Sequence, residues 1–177
     1  MGNTTSLDDF LAGVERRAFR RAVIATGNRD DALDIAQDAM MKLAQRYRDR
    51  DAAEWPPLFH RILQSQIADW HRRNAVRTRW RVWFGNNDDQ GASLEERTPS
   101  PNPGPENQTA IDQTMNALDL ALRALPPRQQ QAFLLRIWEG LDVRETAAVM
   151  GCSEGSVKTH YSRAVHRLRE KLGEHYS

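Results

Sequence analysis

A single segment near the C-terminal end, residues 142–161, has the spacing of a helix-turn-helix and constrains the fold most. Asp142 and Glu145 have the spacing of a capping box, which predicts that a helix starts directly after Asp142. Gly151 stands where the chain must turn, a position that often needs a positive φ. Ser153 can then cap a second helix. Two short helices at a steep angle are a common way to place a helix in a DNA major groove.

The second helix of this motif is predicted to have one apolar face and one donor-rich face. Apolar residues recur at helical spacing, which predicts a buried stripe; they are Val157, Tyr161, Ala164, Leu168 and Leu172. Off this stripe lie side chains that can donate to phosphates and base edges: Lys158, Thr159, Ser162, Arg163, His166 and Arg167. A plain helical hairpin with a solvated basic face is the alternative interpretation.

Composition divides the chain into three parts. Residues 85–108 are rich in glycine and proline and carry five acids against one arginine, a net charge of −4. Such a stretch cannot bury a core and is typical of an extended or disordered linker. The flanking patterns are helical, with no convincing strand. The sequence therefore predicts an all-α protein with two small helical domains, residues 1–84 and 109–177, joined by a flexible acidic linker, residues 85–108.

Several classes of protein are disfavoured by what the sequence contains. Its single cysteine, Cys152, excludes an internal disulfide and a cysteine-cluster metal site. The five histidines show no ligand spacing, and no common catalytic motif occurs. We therefore expect no catalytic residue, no metal, no cofactor and no enzymatic activity. No apolar run is long enough for membrane insertion and no signal peptide is visible, so we expect a cytoplasmic protein.

The helical pattern also predicts where the helices start and end. The first is expected from about Leu7 to Thr26, the second from about Arg29 or Asp30, and the third after Pro56-Pro57. In the second half, one helix is expected to end at Pro126-Pro127. The next helix is expected to point four side chains into the core: Phe133, Leu134, Ile137 and Trp138.

The first half holds two further candidate sites. An acidic helix face with one thioether is a plausible docking surface; its residues are Asp34, Gln37, Asp38 and Met41. An ordinary solvated helix face is the alternative. Residues 70–83 hold five arginines, three tryptophans and no acid, a combination suited to single-stranded or melted nucleic acid. The tryptophans could instead be core residues.

Together these stretches resemble a bacterial RNA polymerase sigma factor of the extracytoplasmic-function (ECF) type, in the sigma-70 family. The run from Leu125-Pro126-Pro127 through Leu172 resembles the family's domain four. The segment Asp30–Lys42 is similar to the part of domain two that docks on the polymerase clamp. Arg61-Ile62 followed by Asp69-x-x-Arg72-Arg73 resembles the helix that meets the −10 element. The similarity covers nearly the whole chain.

The resemblance implies partners and residue roles. Core RNA polymerase, promoter DNA and an anti-sigma factor are the implied partners. The implied clamp contacts are Asp34, Gln37, Asp38 and Met41. The implied −10 contacts are Arg48, Arg50, Trp55, Arg61, Gln64, His71, Arg72, Arg73 and Arg77. The implied −35 contacts are Arg144, Ser156, Lys158, Thr159, Ser162, Arg163 and Arg167.

Two other functions remain open at this point. A stand-alone helix-turn-helix regulator of the LuxR type would form a homodimer and bind palindromic duplex DNA without polymerase. A pure interaction protein, such as a mimic of an anti-sigma factor, would not need the basic face of the last helix at all.

Overall fold

The computed structural model describes residues 6–83 and 106–175, and all regular structure within these ranges is helical. This confirms the predicted all-α class. A short 3₁₀ turn, Ala52–Glu54, precedes the third helix, and a π-helical turn, Leu134–Trp138, follows the fifth. The α-helices are α1 (Leu7–Thr26), α2 (Arg29–Tyr47), α3 (Trp55–Trp83), α4 (Glu106–Arg123), α5 (Pro127–Phe133), α6 (Val143–Met150) and α7 (Glu154–His175).

The predicted linker falls almost entirely outside the described residues, so its flexibility and the domain boundaries stay predictions. One difference is visible at its end. Helix α4 begins at Glu106, so the last three residues of the predicted linker belong to a helix.

Local signals in the sequence account for the first two helices. The Ser6 hydroxyl accepts a hydrogen bond from the backbone N–H of Asp9, and the Asp9 carboxylate accepts one from Ser6. Gly27 ends α1 in the left-handed region at φ 69°, where glycine has no steric penalty. Asn28 caps α2 by accepting from the backbone N–H of Asp31 at 3.0 Å. The predicted ends of α1 and start of α2 are thus confirmed.

Helices α1, α2 and α3 enclose one hydrophobic core. Leu43, Phe59 and Leu63 are at most 1% exposed within it, and Phe10 packs its ring against Trp55 and Phe59. Each large apolar side chain buried in this way contributes about 1.5–3 kcal/mol. The third helix starts at Trp55, slightly before the predicted position, and has both prolines in its first turn, where a missing N–H is harmless.

The second half packs α4, α5 and α7 around one cluster, which includes Leu122, Leu134 and Leu168. The expectation that Ile137 and Trp138 point inward is wrong, since they are 57% and 40% exposed. The cause is the π-helical turn. The backbone N–H of Glu139 donates to the carbonyl of Leu134 five residues earlier, at 3.0 Å. The wider turn rotates later residues off the 3.6-residue period on which the prediction depended.

Candidate DNA-binding and docking surfaces

The helix-turn-helix forms as its spacing predicts. Asp142 Oδ1 accepts from the backbone N–H of Glu145 at 2.7 Å, and Glu145 Oε2 accepts from that of Asp142 at 2.8 Å. Gly151 has φ 63°, and Ser153 Oγ caps α7 by accepting from the backbone N–H of Ser156 at 3.1 Å. The side chain of Val157 is fully buried between α7 and the helices before it.

Thr146, which no sequence pattern marks as functional, also helps to fix this motif. It is fully buried, and its Oγ1 donates to the carbonyl of Asp142 at 2.7 Å. The buried hydroxyl is therefore satisfied within its own helix. The sequence alone does not predict this role, because a threonine in the first turn of an amphipathic helix can equally be exposed to solvent.

Most of the predicted −35 residues lie on the solvent side of α6 and α7. Val157, Ala164 and Leu168 are buried on the opposite side of α7. Ser156 is half-buried, and its hydroxyl lies 2.9 Å from that of Ser153. The exposed members are Arg144, Lys158, Thr159, Ser162, Arg163 and Arg167. The geometry thus presents a row of donors along one face of a helix about 33 Å long.

Two guanidinium groups act on His160 of α7. Burial, Arg128 and Arg163 together lower the pKa of His160, with burial the largest cause. The imidazole is therefore neutral at pH 7, and the nearby positive charge comes from the two guanidinium groups. A groove beside them is lined by Ser162, Arg163, His166, Arg167 and the buried Gln129. Such a surface favours phosphate groups.

The predicted docking residues on α2 share one exposed face. Ile35, Ala36 and Ala39 point into the core from the other side of the helix. Leu33 extends the exposed face and is 45% exposed, while Met41 is 55% exposed. Leu33 falls four residues before Gln37, so it joins the same row. The exposed predicted residues are Asp34, Gln37, Asp38 and Met41.

The predicted −10 residues divide into three groups. The exposed group is Arg48, Arg50, Arg61, Arg72, Arg73 and Arg77. Arg50 lies 3.6 Å from Glu54, and Arg72 pairs with Asp69. Exposed pairs of this kind are weak, so both guanidinium groups remain accessible to a phosphate.

Trp55 does not belong to an exposed surface. It is 6% exposed, packs in the core with Phe10, and donates from Nε1 to the carbonyl of Tyr47 at 3.0 Å. This burial removes Trp55 from the residues that can stack on a base. Trp70 is half-buried against the same core, and its Nε1 donates to Asp31 at 2.9 Å. The side chains of Trp80 and Trp83 lie outside the described residues.

Gln64 and His71 form the third group, because they face the second half of the protein. Both line a cavity of about 290 Å³, together with Arg128 and Met150 from that half. Arg21 Nη2 donates to Gln64 Oε1 at 3.3 Å. Burial lowers the pKa of His71, so its ring is neutral at pH 7.

A buried charge cluster that the sequence did not reveal joins α1 and α3 to the segment after the π-helical turn. Arg21 is 2% exposed, and its Nη1 lies 3.6 Å from Glu139 Oε1 and 3.1 Å from His60 Nδ1. Because a guanidinium group can only donate, His60 must accept at Nδ1 and carry its proton on Nε2. That nitrogen lies 4.0 Å from Glu139 Oε2.

Opposing effects act on the titration of this cluster. Glu139 would favour a charged imidazole, yet burial, followed by Arg21 and Arg17, lowers the pKa of His60 to about 3. The direct contact with Arg21 is the shorter one, so a neutral ring is the state that fits the geometry. Burial also lowers the pKa of Arg21, while the charge of Glu139 and a hydrogen bond to it act in the opposite direction.

Neither a metal site nor a membrane span is found in the described ranges. The histidines and acids there form no group that could hold a metal ion. Among the described helices, none combines the length and apolar character that crossing a bilayer requires.

Comparison with known proteins bears directly on these surfaces. Residues 115–168 match the family described as Sigma-70, region 4, which spans the helix-turn-helix. The ECF RNA polymerase sigma factor SigD of Mycobacterium tuberculosis is 30% identical over 178 residues, covering 97% of this chain and 79% of SigD. The protein is an ECF sigma factor. Its family membership supports a role in transcription initiation rather than an enzymatic activity, and it does not favour the stand-alone regulator.

Other comparisons give the extent of the likeness. The sigma-E factor of Streptomyces coelicolor is 28% identical, covering 97% of this sigma factor and 89% of its relative. The chain spans only 63% of SigE from Mycolicibacterium smegmatis, at 30% identity. The sigma factor RpoE, solved in complex with the anti-sigma factor NepR from Bartonella quintana, has the same fold. Its TM-score is 0.69 at 21% identity, covering 94% of this chain and 96% of RpoE.

Proposed function

We propose that this sigma factor binds core RNA polymerase and directs it to promoters by recognising a −35 and a −10 element and helping to open the DNA. The observation that carries the proposal is the exposed donor row on α7. It is presented by a capped helix-turn-helix in the same chain as the exposed acidic face of α2. One surface suits duplex DNA and the other suits a protein partner.

The −35 element is assigned to α6 and α7. Lys158, Ser162 and Arg163 project from the face of α7 opposite the buried Val157. A recognition helix held in this way can enter the major groove, where arginine pairs with both acceptors of guanine. Arg144 and Arg167 lie toward the ends of this surface and suit phosphate contacts, which set the register of the helix on the duplex.

The −10 element is assigned to the exposed arginines of α3 and of residues 48–50. Arg61, Arg72, Arg73 and Arg77 line the outer side of α3. Extruding a base from duplex DNA costs a few kcal/mol, which contacts to the separated strand must offset. Guanidinium groups suit this task because they bind phosphates and also stack on bases.

Docking on the polymerase is assigned to α2. Its exposed face combines the carboxylates of Asp34 and Asp38 with the apolar side chains of Leu33 and Met41. An apolar patch flanked by acids suits a partner surface of mixed apolar and basic character. An anti-sigma factor is proposed as a further partner, because relatives with this fold include one solved with such a protein.

The test is a transcription assay with purified sigma factor and core RNA polymerase that lacks any sigma. Promoter fragments are transcribed as a pool, and the 5′ ends of the transcripts are mapped. We expect defined start sites that depend on both components. Random ends, or ends identical to those made by core polymerase alone, would refute the proposed function.

A matched pair of variants separates docking from overall charge. Asp34→Arg with Asp38→Arg should abolish binding to core polymerase, since it reverses two exposed charges on the proposed face. Glu15→Arg with Glu170→Arg makes the same change in net charge at exposed acids on α1 and α7, and it should leave binding intact. Equal loss in both variants would show that α2 has no specific role.

A further inference from the structure

We propose that the cavity lined by α3, α5 and α6 binds a small organic acid, whose carboxylate is held by Arg128 and Gln131 and whose apolar body lies inside. The shape of the cavity, the charge of its wall and one buried donor support this site. Binding is a property of the free protein, so the site goes beyond the proposed function and does not depend on it.

The cavity has an apolar floor and a polar mouth. Its volume is about 290 Å³, close to the lower limit for small-ligand pockets. Ile67, Leu134 and Met150 line it and are at most 5% exposed. Ser65 and Arg128 line it as well, yet both are exposed to solvent, so they lie at its opening. A ligand with an apolar body and one polar end fits such a space.

The wall of the cavity carries positive charge and no carboxylate. Its charged residues are Arg21 and Arg128. Glu139 balances the charge of Arg21 from 3.6 Å away, whereas Arg128 forms no ion pair with the described residues. His71 is neutral at pH 7, because burial lowers its pKa. One uncompensated positive charge favours a ligand with a single negative charge, such as a carboxylate, over a dianionic phosphate.

Gln131 supplies a buried donor without a partner. Arg128 Nη1 lies 3.3 Å from Gln131 Oε1. Because a guanidinium group can only donate, the amide oxygen must face Arg128, which fixes the orientation of the amide. Gln131 Nε2 is then buried and has no hydrogen-bond partner among the described residues. Buried donors of this kind are normally satisfied by a ligand or by ordered water, and an organic acid would cover the apolar floor as well.

A carboxylate beside Gln131 would satisfy both polar groups. The two hydrogen bonds that Arg128 makes to described residues both come from Nη1, to Gln131 and to the carbonyl of Met150. Its Nη2 and Nε therefore remain available to a ligand. A carboxylate can accept from a guanidinium group and from an amide N–H together, and charge-assisted bonds of this kind are strong. The site thus suits an aromatic or short aliphatic carboxylate.

The probe for this site is benzoate, a small aromatic carboxylate, added to the free protein at constant ionic strength. Binding is followed by NMR of isotopically labelled methionine methyl groups, because Met150 lies on the floor of the cavity. We expect a saturable shift of the Met150 resonance, with no shift at Met41 and Met115, which are exposed. Benzamide has the same shape without the charge. It should bind about tenfold more weakly, since it loses a hydrogen bond to a charged group.

Three variants separate the charge of the site from its size. Gln131→Glu puts a carboxylate beside Arg128 in place of the ligand, so benzoate affinity should fall by about tenfold or more. Gln45→Glu makes the same change in net charge at an exposed position of α2 and should bind benzoate like the wild type. Ala68→Leu adds bulk to the wall of the cavity and should weaken benzoate and benzamide alike.

Each part of the site has a result that overturns it. The absence of a saturable Met150 shift at tens of millimolar benzoate would overturn the site itself. Equal affinity for benzoate and benzamide, or equal loss in Gln131→Glu and Gln45→Glu, would overturn the role of Arg128 and Gln131. Wild-type affinity in Ala68→Leu, with unchanged Met41 and Met115 resonances to show that it is folded, would place benzoate outside the cavity. The assay contains neither DNA nor polymerase, so its outcome is separate from that of the transcription assay.

Discussion

Acidification should weaken the folded protein through His60 before most carboxylates titrate. The ring accepts from Arg21 at 3.1 Å, so protonation would set two cations in contact inside the protein. Burial and the charges of Arg21 and Arg17 lower the pKa of His60 from 6.5 to about 3, against the opposing charge of Glu139. The folded state therefore binds fewer protons than the unfolded state between these two values. The stabilisation is complete above pH 6.5 and is lost as the pH falls toward 3.

The size of the effect follows from the two pKa values. At pH 5 an unfolded histidine is almost fully protonated, while His60 in the folded protein is almost entirely neutral. Proton linkage then gives a loss of about 2 kcal/mol between pH 7 and pH 5 from this one group. That is a large share of the 5–15 kcal/mol typical of a folded domain.

The assay is urea unfolding at pH 7 and pH 5, for the wild type and for His60→Gln, whose amide can accept from Arg21 but does not titrate in this range. His71 and His160, whose pKa values are also lowered, are present in both proteins and cancel in the comparison. The wild type should lose about 2 kcal/mol more than the variant. Equal losses, or an NMR titration of the His60 ring near pH 6.5, would refute the reasoning.

Three further predictions concern the helix-turn-helix and its neighbours. Asp142→Ala removes the cap of α6 and should lower the free energy of unfolding by about 1 kcal/mol in a urea titration. Gly151→Ala should cost about 1–2 kcal/mol, because alanine is strained at φ 63°, although nothing lies within 4 Å of the added methyl group. Gly13→Ala, in the middle of α1 with equal free space, should instead raise the free energy of unfolding by about 0.5–1 kcal/mol. A change in the same direction at both glycines would contradict the argument from backbone conformation. Arg163→Ala should weaken binding to a cognate −35 site by about 1–3 kcal/mol, whereas Lys171→Ala should not; holoenzyme binding to the mapped promoter and to a −35 mutant of it measures both.

The elements that could be predicted from the sequence are those specified by neighbouring residues. Caps and turn glycines act within a few positions, so the ends of α1 and the whole helix-turn-helix followed from residues such as Gly27, Asp142 and Gly151. The exposed face of α2 followed from periodicity for the same reason. Leu33 is not predicted to belong to this face, because an apolar residue on a helix is expected to be buried. Only the packing of the folded protein shows that it is exposed.

The features that could not be predicted depend on contacts between distant residues or on a change of helical period. The side chain of Trp55 is as suitable for stacking on a base as for filling a core. Its contact with Phe10, a distant residue in the sequence, places it in the core. Ile137 and Trp138 are exposed because a π-helical turn breaks the period. The pairing of Arg21 with Glu139 joins two charged residues in separate halves, and no local pattern marks either as buried.

The contact between the two halves has charged residues at its centre, Arg21 and Glu139, rather than apolar ones. Replacing a buried ion pair by apolar residues of similar volume is often neutral or stabilising, so the pair adds little stability beyond what apolar residues would give. The pairing of these two charges also penalises any misaligned docking that leaves one charge unpaired. Ile24 and Gln130 add apolar contact and a helix cap that form only in the correct register. A charged centre beside the apolar side chain of Ile24 thus makes the docking of the two halves specific to one register.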